Sequence, residues 1–460
     1  MKSLLDKKVD MVNESIPKSA LVFALPLLFS GWLQLLYSAA DLITCGNFGS
    51  ENSVGAISAT SSLTSLIISL CMGFSVGANV LIAQAVGAQD KEKGKRIIIS
   101  TYILALISGL ILLIVGVTCS KYFLKWMGTP TELLDLSNNY MVIYFIGIPF
   151  TLIYNFGAAL LRGLGDTTKP FIFLAIAGAI NVGLNFLFVI TFNLDVAGVA
   201  ITTTISQAIS AILVTITLIK DKKYFVNLDV KYTKFYKQEI LGIIKIGIPA
   251  GLQSALFSLS NVLLQSSINS FGKDAVTGTG AESSIESFLS TGVDAFAQAT
   301  VAFVGANYGA KNASRIKKSI FYTSLYGCIF AALGGLFCFF LARPLLRIYT
   351  DNEAAINYGV EKLKIVSTTY IIYCLSCTIS SGIRGMGYSF MPMAVSLIGI
   401  CVLRIVYIYT IFPLEQFHTI FGLYISYPLS WLITVIAHFI CLFLCSKKAY
   451  KRMNEPHALA

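Results

Sequence analysis

Asp41 is the only carboxylate in a long apolar stretch near the N-terminus, and it shares one helical face with Gln34 and Tyr37, since spacings of 4 and 7 residues return to the same side of an α-helix. No Lys or Arg lies nearby in sequence to neutralise it. An acid withdrawn from water without a cation partner binds a proton or a small cation more readily, because desolvation penalises its charged form. Asn181 and Asn185 form an i, i+4 amide pair in a later apolar stretch, one turn after Gly178. Buried amides need hydrogen-bond partners, and the hydroxyls of Thr202, Thr203 and Thr204 in the following stretch are candidates. Asp41, Asn181 and Asn185 therefore read as candidates for ion coupling, with the hydroxyl partner left open among the three threonines.

The second half of the chain is polar in another way. Ser254, Ser258, Asn261, Gln265 and Asn269 step by 4, 3, 4 and 4, one stripe along a helix. Glu282, Glu286, Ser290 and Asp294 repeat at spacing 4, a second stripe. Two such stripes side by side would line a water-filled cavity. Glu286 is expected to be the deepest of these acids and Glu282 to lie near an outer mouth. Arg404 is expected to be the one buried base. Gln34, Tyr37, Tyr154, Asn155, Asn261, Gln265, Glu282 and Glu286 are the candidate substrate- and cation-binding residues; aromatic faces beside an uncompensated acid suit a lipophilic cation.

The elements that carry these residues are membrane spans. The 460 residues are 56% hydrophobic and 12% charged, against about 25% charged in soluble proteins. The apolar residues are gathered into twelve runs, at about 18–46, 55–84, 97–118, 138–162, 170–192, 196–219, 241–270, 276–306, 317–342, 361–384, 392–413 and 419–445. Each reaches or exceeds the ~20 residues a helix needs to cross hydrocarbon, and none alternates as a barrel strand does. The fold class is an all-α integral membrane protein of twelve spans in two pseudo-symmetric six-helix lobes.

The duplication is written in the sequence. Arg162-Gly163-Leu164-Gly165 with Pro170 recurs as Arg384-Gly385-Met386-Gly387 with Pro392, an offset of 222 residues. Val86-Gly87-Ala88 answers Tyr308-Gly309-Ala310 at the same offset, and Pro26 and Gly49 recur as Pro249 and Gly272 at 223. The expected organisation is a first lobe at 1–219, a basic linker at 220–237, a second lobe at 238–446 and a tail at 447–460. The polar residues are not repeated: Asp41 maps to Leu264, Asn181 to Leu403 and Asn185 to Tyr407. A scaffold motif recurs in both copies, whereas a site built in one copy does not.

The net charge of +11 raises nucleic acid as a partner, but placement argues against it. Basic residues crowd the N-terminal tail and alternate connections, such as Lys91 to Arg96, Lys220 to Lys245 and Lys311 to Lys318, and are sparse in the others. That asymmetry puts both termini in the cytoplasm of a cell (plasma) membrane protein. The ten cysteines sit almost entirely in apolar runs, so Cys374 and Cys377 read as packing residues rather than a redox or metal pair. There is no nucleotide-binding loop and no histidine cluster with metal spacing, so no cofactor or metal is expected, and energy for pumping would come from an ion gradient.

Taken together, Ala24-Leu25-Pro26, Tyr37-Ser38-Ala39-Ala40-Asp41, Ala83-Gln84-Ala85-Val86-Gly87-Ala88, the two Arg-Gly-x-Gly motifs and Gly305-Ala306-Asn307-Tyr308-Gly309-Ala310 resemble the multidrug and toxic compound extrusion (MATE) family over essentially the whole chain. The resemblance implies a non-enzymatic antiporter that exports small organic, often cationic compounds in exchange for protons or sodium ions by alternating access, as a monomer among membrane lipids. It also implies a first-lobe ion site onto which Asp41, Asn181 and Thr203 map; where the family pattern has an acid on the fifth span, this chain has Asn185. Two other readings are a lipid-linked saccharide flippase of the same superfamily, which needs several buried cations, and an integral-membrane enzyme, which needs a polar cluster at a membrane boundary.

Overall fold

In the computed structural model, which describes residues 8–228 and 234–454 apart from the side chains of residues 62, 259, 262 and 263, twelve helices are long and apolar enough to cross a membrane. Lys2 and Lys7 of the basic tail, residues 229–233 of the expected linker and His457 lie outside the described residues. The helices are α1 (Ile16–Phe48), α2 (Ser53–Gly87), α3 (Lys91–Trp126), α4 (Thr131–Gly163), α5 (Thr168–Thr191) and α6 (Asp195–Lys220), then α7 (Lys237–Asn269), α8 (Lys273–Gly309), α9 (Ala313–Phe340), α10 (Glu353–Gly385), α11 (Phe390–Thr410) and α12 (Ile420–Asn454). All twelve apolar runs are helices. Most extend past the apolar residues at their polar ends, where side chains satisfy backbone N–H groups that a helix start leaves orphaned. Asp90 accepts from the Lys93 N–H at 2.9 Å, and Asn312 accepts from the Arg315 N–H at 3.0 Å. These caps are 222 residues apart, as are the left-handed Gln89 and Lys311 beside them (φ 57° and 55°). Gly165 and Gly387 both have φ 90°, a conformation that side chains resist, which explains the repeated glycine in the two Arg-Gly-x-Gly motifs. The duplication is therefore structural as well as textual.

Contacts divide the chain into two units. One holds residues 1–9 and 29–247; the other holds 10–28 and 248–460. The division falls inside α1 and α7, a few residues from Pro26 and Pro249. In the first unit α4 is central, packed against α2, α3 and α6. Its core includes Ile82, Ile97, Met141, Leu152 and Phe156. In the second unit α10 holds the equivalent place against α8, α9 and α12, around Leu289, Leu363, Tyr370 and Cys374. Helix α3 shows how composition assigns faces. Ala105, Gly109, Gly116 and Ser120 are buried, whereas Leu106, Leu110, Ile114 and Val117 are exposed. Small residues let neighbouring helices approach, and large apolar ones face outward, as hydrocarbon rather than water surroundings require.

Two helices leave α-geometry. In α5 a π-helical segment, Phe186–Thr191, begins directly after Asn185, and α11 contains another at Leu397–Val402. Such insertions redirect side chains and frequent functional sites.

Candidate ion and ligand sites

In the first unit the residues singled out for ion coupling meet. Asn185 Nδ2 donates to Asp41 Oδ1 at 2.6 Å, and Thr203 Oγ1 donates to Asp41 Oδ2 at 3.4 Å. Asn181 Nδ2 donates to Thr203 Oγ1, and Asn185 Nδ2 also reaches Asn181 Oδ1, both at 3.4 Å. Thr202 completes the cluster: its hydroxyl donates to Asn185 Oδ1 at 2.6 Å. That bond occupies the amide's acceptor and leaves its donor for the acid. Three helices supply these groups: α1 the carboxylate, α5 the amides and α6 the hydroxyls. Asn181 and Asn185 are buried, and Asp41 is half-buried. Among the described residues no Lys, Arg or His pairs with Asp41, so its charge rests on neutral donors alone.

The neighbouring candidates divide. Tyr37 stands on the Asp41 face of α1, with its ring against Gly178 in the space a side chain there would fill, and its hydroxyl reaches the Ala175 carbonyl at 3.4 Å. Gln34 is exposed on the same helix. Tyr154 is buried in the apolar core and donates to the Pro170 carbonyl at 3.2 Å; Asn155 donates to the Thr151 carbonyl of its own helix at 2.9 Å. Neither is brought to Asp41. Asp195, not singled out in the sequence, accepts from the Ser50 N–H and hydroxyl and from Ser53, and so ties the end of α1 and the start of α2 to α6.

In the second unit the two polar stripes border one cavity of about 350 Å³. From α7 come Ser258, Asn261 and Gln265; from α8 come Glu286, Ser290 and Asp294. Gln265 also donates to Asn269 Oδ1 at 3.1 Å. Burial separates the acids: Glu282 is fully buried, whereas Glu286, at 22% side-chain exposure, and Asp294 line the cavity. Lys362 of α10, which the sequence did not single out, accounts for the buried acid. Its ammonium forms a close ion pair with Glu282, lies 3.7 Å from Glu286 and donates to Ser283 Oγ at 3.1 Å. A lysine 2% exposed in such surroundings is tolerable only because it is paired. Arg404 is thus not the only buried base. Nor is it ion-paired among the described residues: its Nε donates to Ser430 Oγ at 2.9 Å, and its guanidinium lies over the Tyr427 ring at 4.3 Å.

The duplicate positions are apolar. Leu264 and Tyr407, the counterparts of Asp41 and Asn185, belong to the hydrophobic core of the second unit. Two polar sites of different composition thus sit in two copies of one scaffold. The MatE family model matches residues 26–187 and again 249–410, one match per copy. The chain belongs to the MatE family. Among curated MatE-like relatives, the probable multidrug resistance protein YoeA of Bacillus subtilis is 24% identical over 92% of this chain and 92% of its own length. YpnP of the same organism, also called a probable multidrug resistance protein, is 27% identical over 86% and 89%. The multidrug export protein MepA of Staphylococcus aureus is 23% identical over 77% and 78%. Solved MATE structures share the fold. An outward-facing multidrug resistance MATE transporter superposes with a TM-score of 0.91 at 20% identity, and a MATE in complex with MaL6 with 0.91 at 21%, each covering 97% of this chain and 99% of the other. The fold of those structures and the twelve candidate spans make it a multi-pass membrane protein.

Proposed function

We propose that the protein is a secondary active antiporter that expels small organic, often cationic, compounds in exchange for protons or sodium ions, in a cell membrane with both termini cytoplasmic. The observation that carries this reading is the Asp41 cluster: a membrane-depth carboxylate held by Asn185 and Thr203, with no basic partner among the described residues. Such a group has one unsatisfied requirement, a small cation. When it takes one up, the charge at the junction of α1, α5 and α6 changes, and so does the relative stability of any two arrangements of those helices that differ in exposure of the site. Antiport follows if the organic substrate favours the opposite arrangement, since a ligand shifts an equilibrium only by its difference in affinity for the two states.

The reading is tested with purified protein in vesicles, by following efflux of a fluorescent organic cation under an imposed pH gradient and, separately, a sodium gradient. Asp41→Asn keeps size and hydrogen bonding but cannot carry a charge. It is expected to abolish gradient-driven efflux while leaving the amount of protein in the membrane unchanged. An Asp41→Asn protein that still drives efflux uphill would sink the reading. A lipid-linked saccharide would need a strongly cationic groove, and in the second-unit cavity Lys362 is already neutralised by Glu282.

A further inference from the structure

The second unit carries a groove that shares no residue with its polar cavity. Helices α9 and α12 each pack on α10 but scarcely on each other, which leaves a cleft of about 850 Å³ between them. Its walls are apolar and open outward: Phe321 and Leu325 of α9 and Phe439 and Phe443 of α12 are exposed, while Leu375 and Ile379 of α10 form the floor. In a membrane protein, exposed apolar side chains of this kind meet lipid. The groove runs from Lys317 to Cys328 on α9 and from Tyr450 back to Phe439 on α12. Eleven residues on each helix (328−317 and 450−439) span about 16 Å. That is the depth of one leaflet, half of a ~30 Å hydrocarbon core.

One end of the groove holds all of its charge. The Lys317 ammonium lies 5.7 Å from the centre of the Tyr450 ring, joining α9 to α12 there, and Lys447 stands one turn before Tyr450. Both lysines are exposed, and neither forms an ion pair among the described residues. Neither α9 nor α12 contains an Asp or Glu, and Lys318, Lys448 and Lys451 add positive charge at the same end. A single lysine at a helix end reaches water along its own stem. Here two lysines on different helices flank the end of one apolar trench, and basic pockets between spans recognise phospholipid headgroups.

We propose that the groove holds one anionic phospholipid of the phosphatidylglycerol type, its chains along α9 and α12 over Leu375 and Ile379, and its phosphate at Lys317 and Lys447. The net negative charge sets this lipid apart from a zwitterionic one with the same chains, whose own ammonium cancels the phosphate. The proposal requires the membrane fold alone and stands apart from the export reading.

The test places full-length protein in vesicles of equal parts phosphatidylglycerol and phosphatidylcholine, with dibrominated chains on one lipid or on the other. Bromine quenches tryptophan on contact, so the pair of samples reports which lipid lies against a chosen position. Leu325→Trp puts the reporter in the groove; Leu110→Trp puts it at an exposed position of α3 that is not part of the groove. Signals are taken against the wild type, which has three tryptophans of its own. Phosphatidylglycerol is expected to be favoured about tenfold at Leu325→Trp, the scale of two lysines beside an anionic headgroup, and to be matched by phosphatidylcholine at Leu110→Trp. Adding Lys317→Gln and Lys447→Gln to Leu325→Trp should bring the ratio to about one. Equal quenching by the two lipids at Leu325→Trp overturns the proposal, as does an equal preference at both positions, which would mark a general attraction to the basic protein. A preference that survives the two Gln substitutions overturns it too, as does quenching by neither lipid, the sign of a groove covered by protein. Phe321→Trp, on the same wall, repeats the measurement if Leu325→Trp does not fold.

Discussion

At the scale of the residue, the informative feature is how Asn185 is oriented. A side-chain amide presents a donor or an acceptor to its neighbour with equal ease, and only the donor can hold a carboxylate. Asp41 decides between them, since a carboxylate only accepts: Nδ2 faces Asp41 and Oδ1 is left to Thr202, whose hydroxyl reaches it at 2.6 Å and the Val199 carbonyl at 2.9 Å. Thr202→Val removes that hydrogen bond with little change in volume. It is expected to slow gradient-driven efflux roughly tenfold, in line with a buried amide oxygen left unsatisfied at a cost of about 1–3 kcal/mol. Thr202→Ser should restore most of the rate. Wild-type rates from Thr202→Val in the vesicle assay would remove Thr202 from the site. Asp41, Asn181 and Asn185 were legible in the sequence because charge and amides are expensive in apolar runs, whereas Thr203 was picked out by the family resemblance. Thr202 was less legible, because three consecutive threonines point in three directions and only the packing of α5 on α6 selects among them.

At the scale of the element, Lys362 joins α10 to α8 through Glu282. Removing one partner of a buried ion pair strands the other charge, whereas removing both leaves an apolar contact. Lys362→Met alone is therefore expected to destabilise the second unit by about 3–5 kcal/mol, and Lys362→Met with Glu282→Leu to recover most of that loss. Thermal unfolding in detergent measures both; equal losses from the single and double variants would show that the pair is not coupled. This pairing was not legible in the sequence. Lys362 sits about two and a half turns inside α10, at the polar edge of the run expected at 361–384, where charged neighbours (Glu361, Lys364) hide its burial. The twelve helices themselves were legible, because hydrocarbon permits no other way to satisfy the backbone within such runs. Tyr154 and Asn155 show the converse: a polar side chain in a span spends its hydrogen bond on a nearby carbonyl as readily as on a ligand.

At the scale of the whole molecule, charge placement makes two predictions. Substituted cysteines at Lys93 and at Lys121, each in a background without other reactive thiols, should label from opposite sides of a sealed membrane, Lys93→Cys from the cytoplasmic side. Labelling of both from one side would contradict the assigned orientation. Beyond the end of α6, burial alone would push the Asp221 carboxyl up, but the Lys169 ammonium against it and the Lys223 N–H at 3.0 Å hold it below the usual carboxylate range. A carboxyl depressed on folding adds stability that is complete above its ordinary value near 3.9 and is lost as the pH falls through the lower, folded value. The melting temperature in detergent should therefore decline below about pH 4, and Asp221→Asn should flatten that decline. An unchanged acid limb in the variant would show that the Lys169 contact does not report on folding.

The two copies of the scaffold spend their polar residues on different tasks. Where one holds Asp41 and Asn185, the other has Leu264 and Tyr407 packed in oil. A lineage carrying this gene can therefore alter the polar lining of one copy without disturbing the acid of the other, a freedom that an ancient doubling left behind.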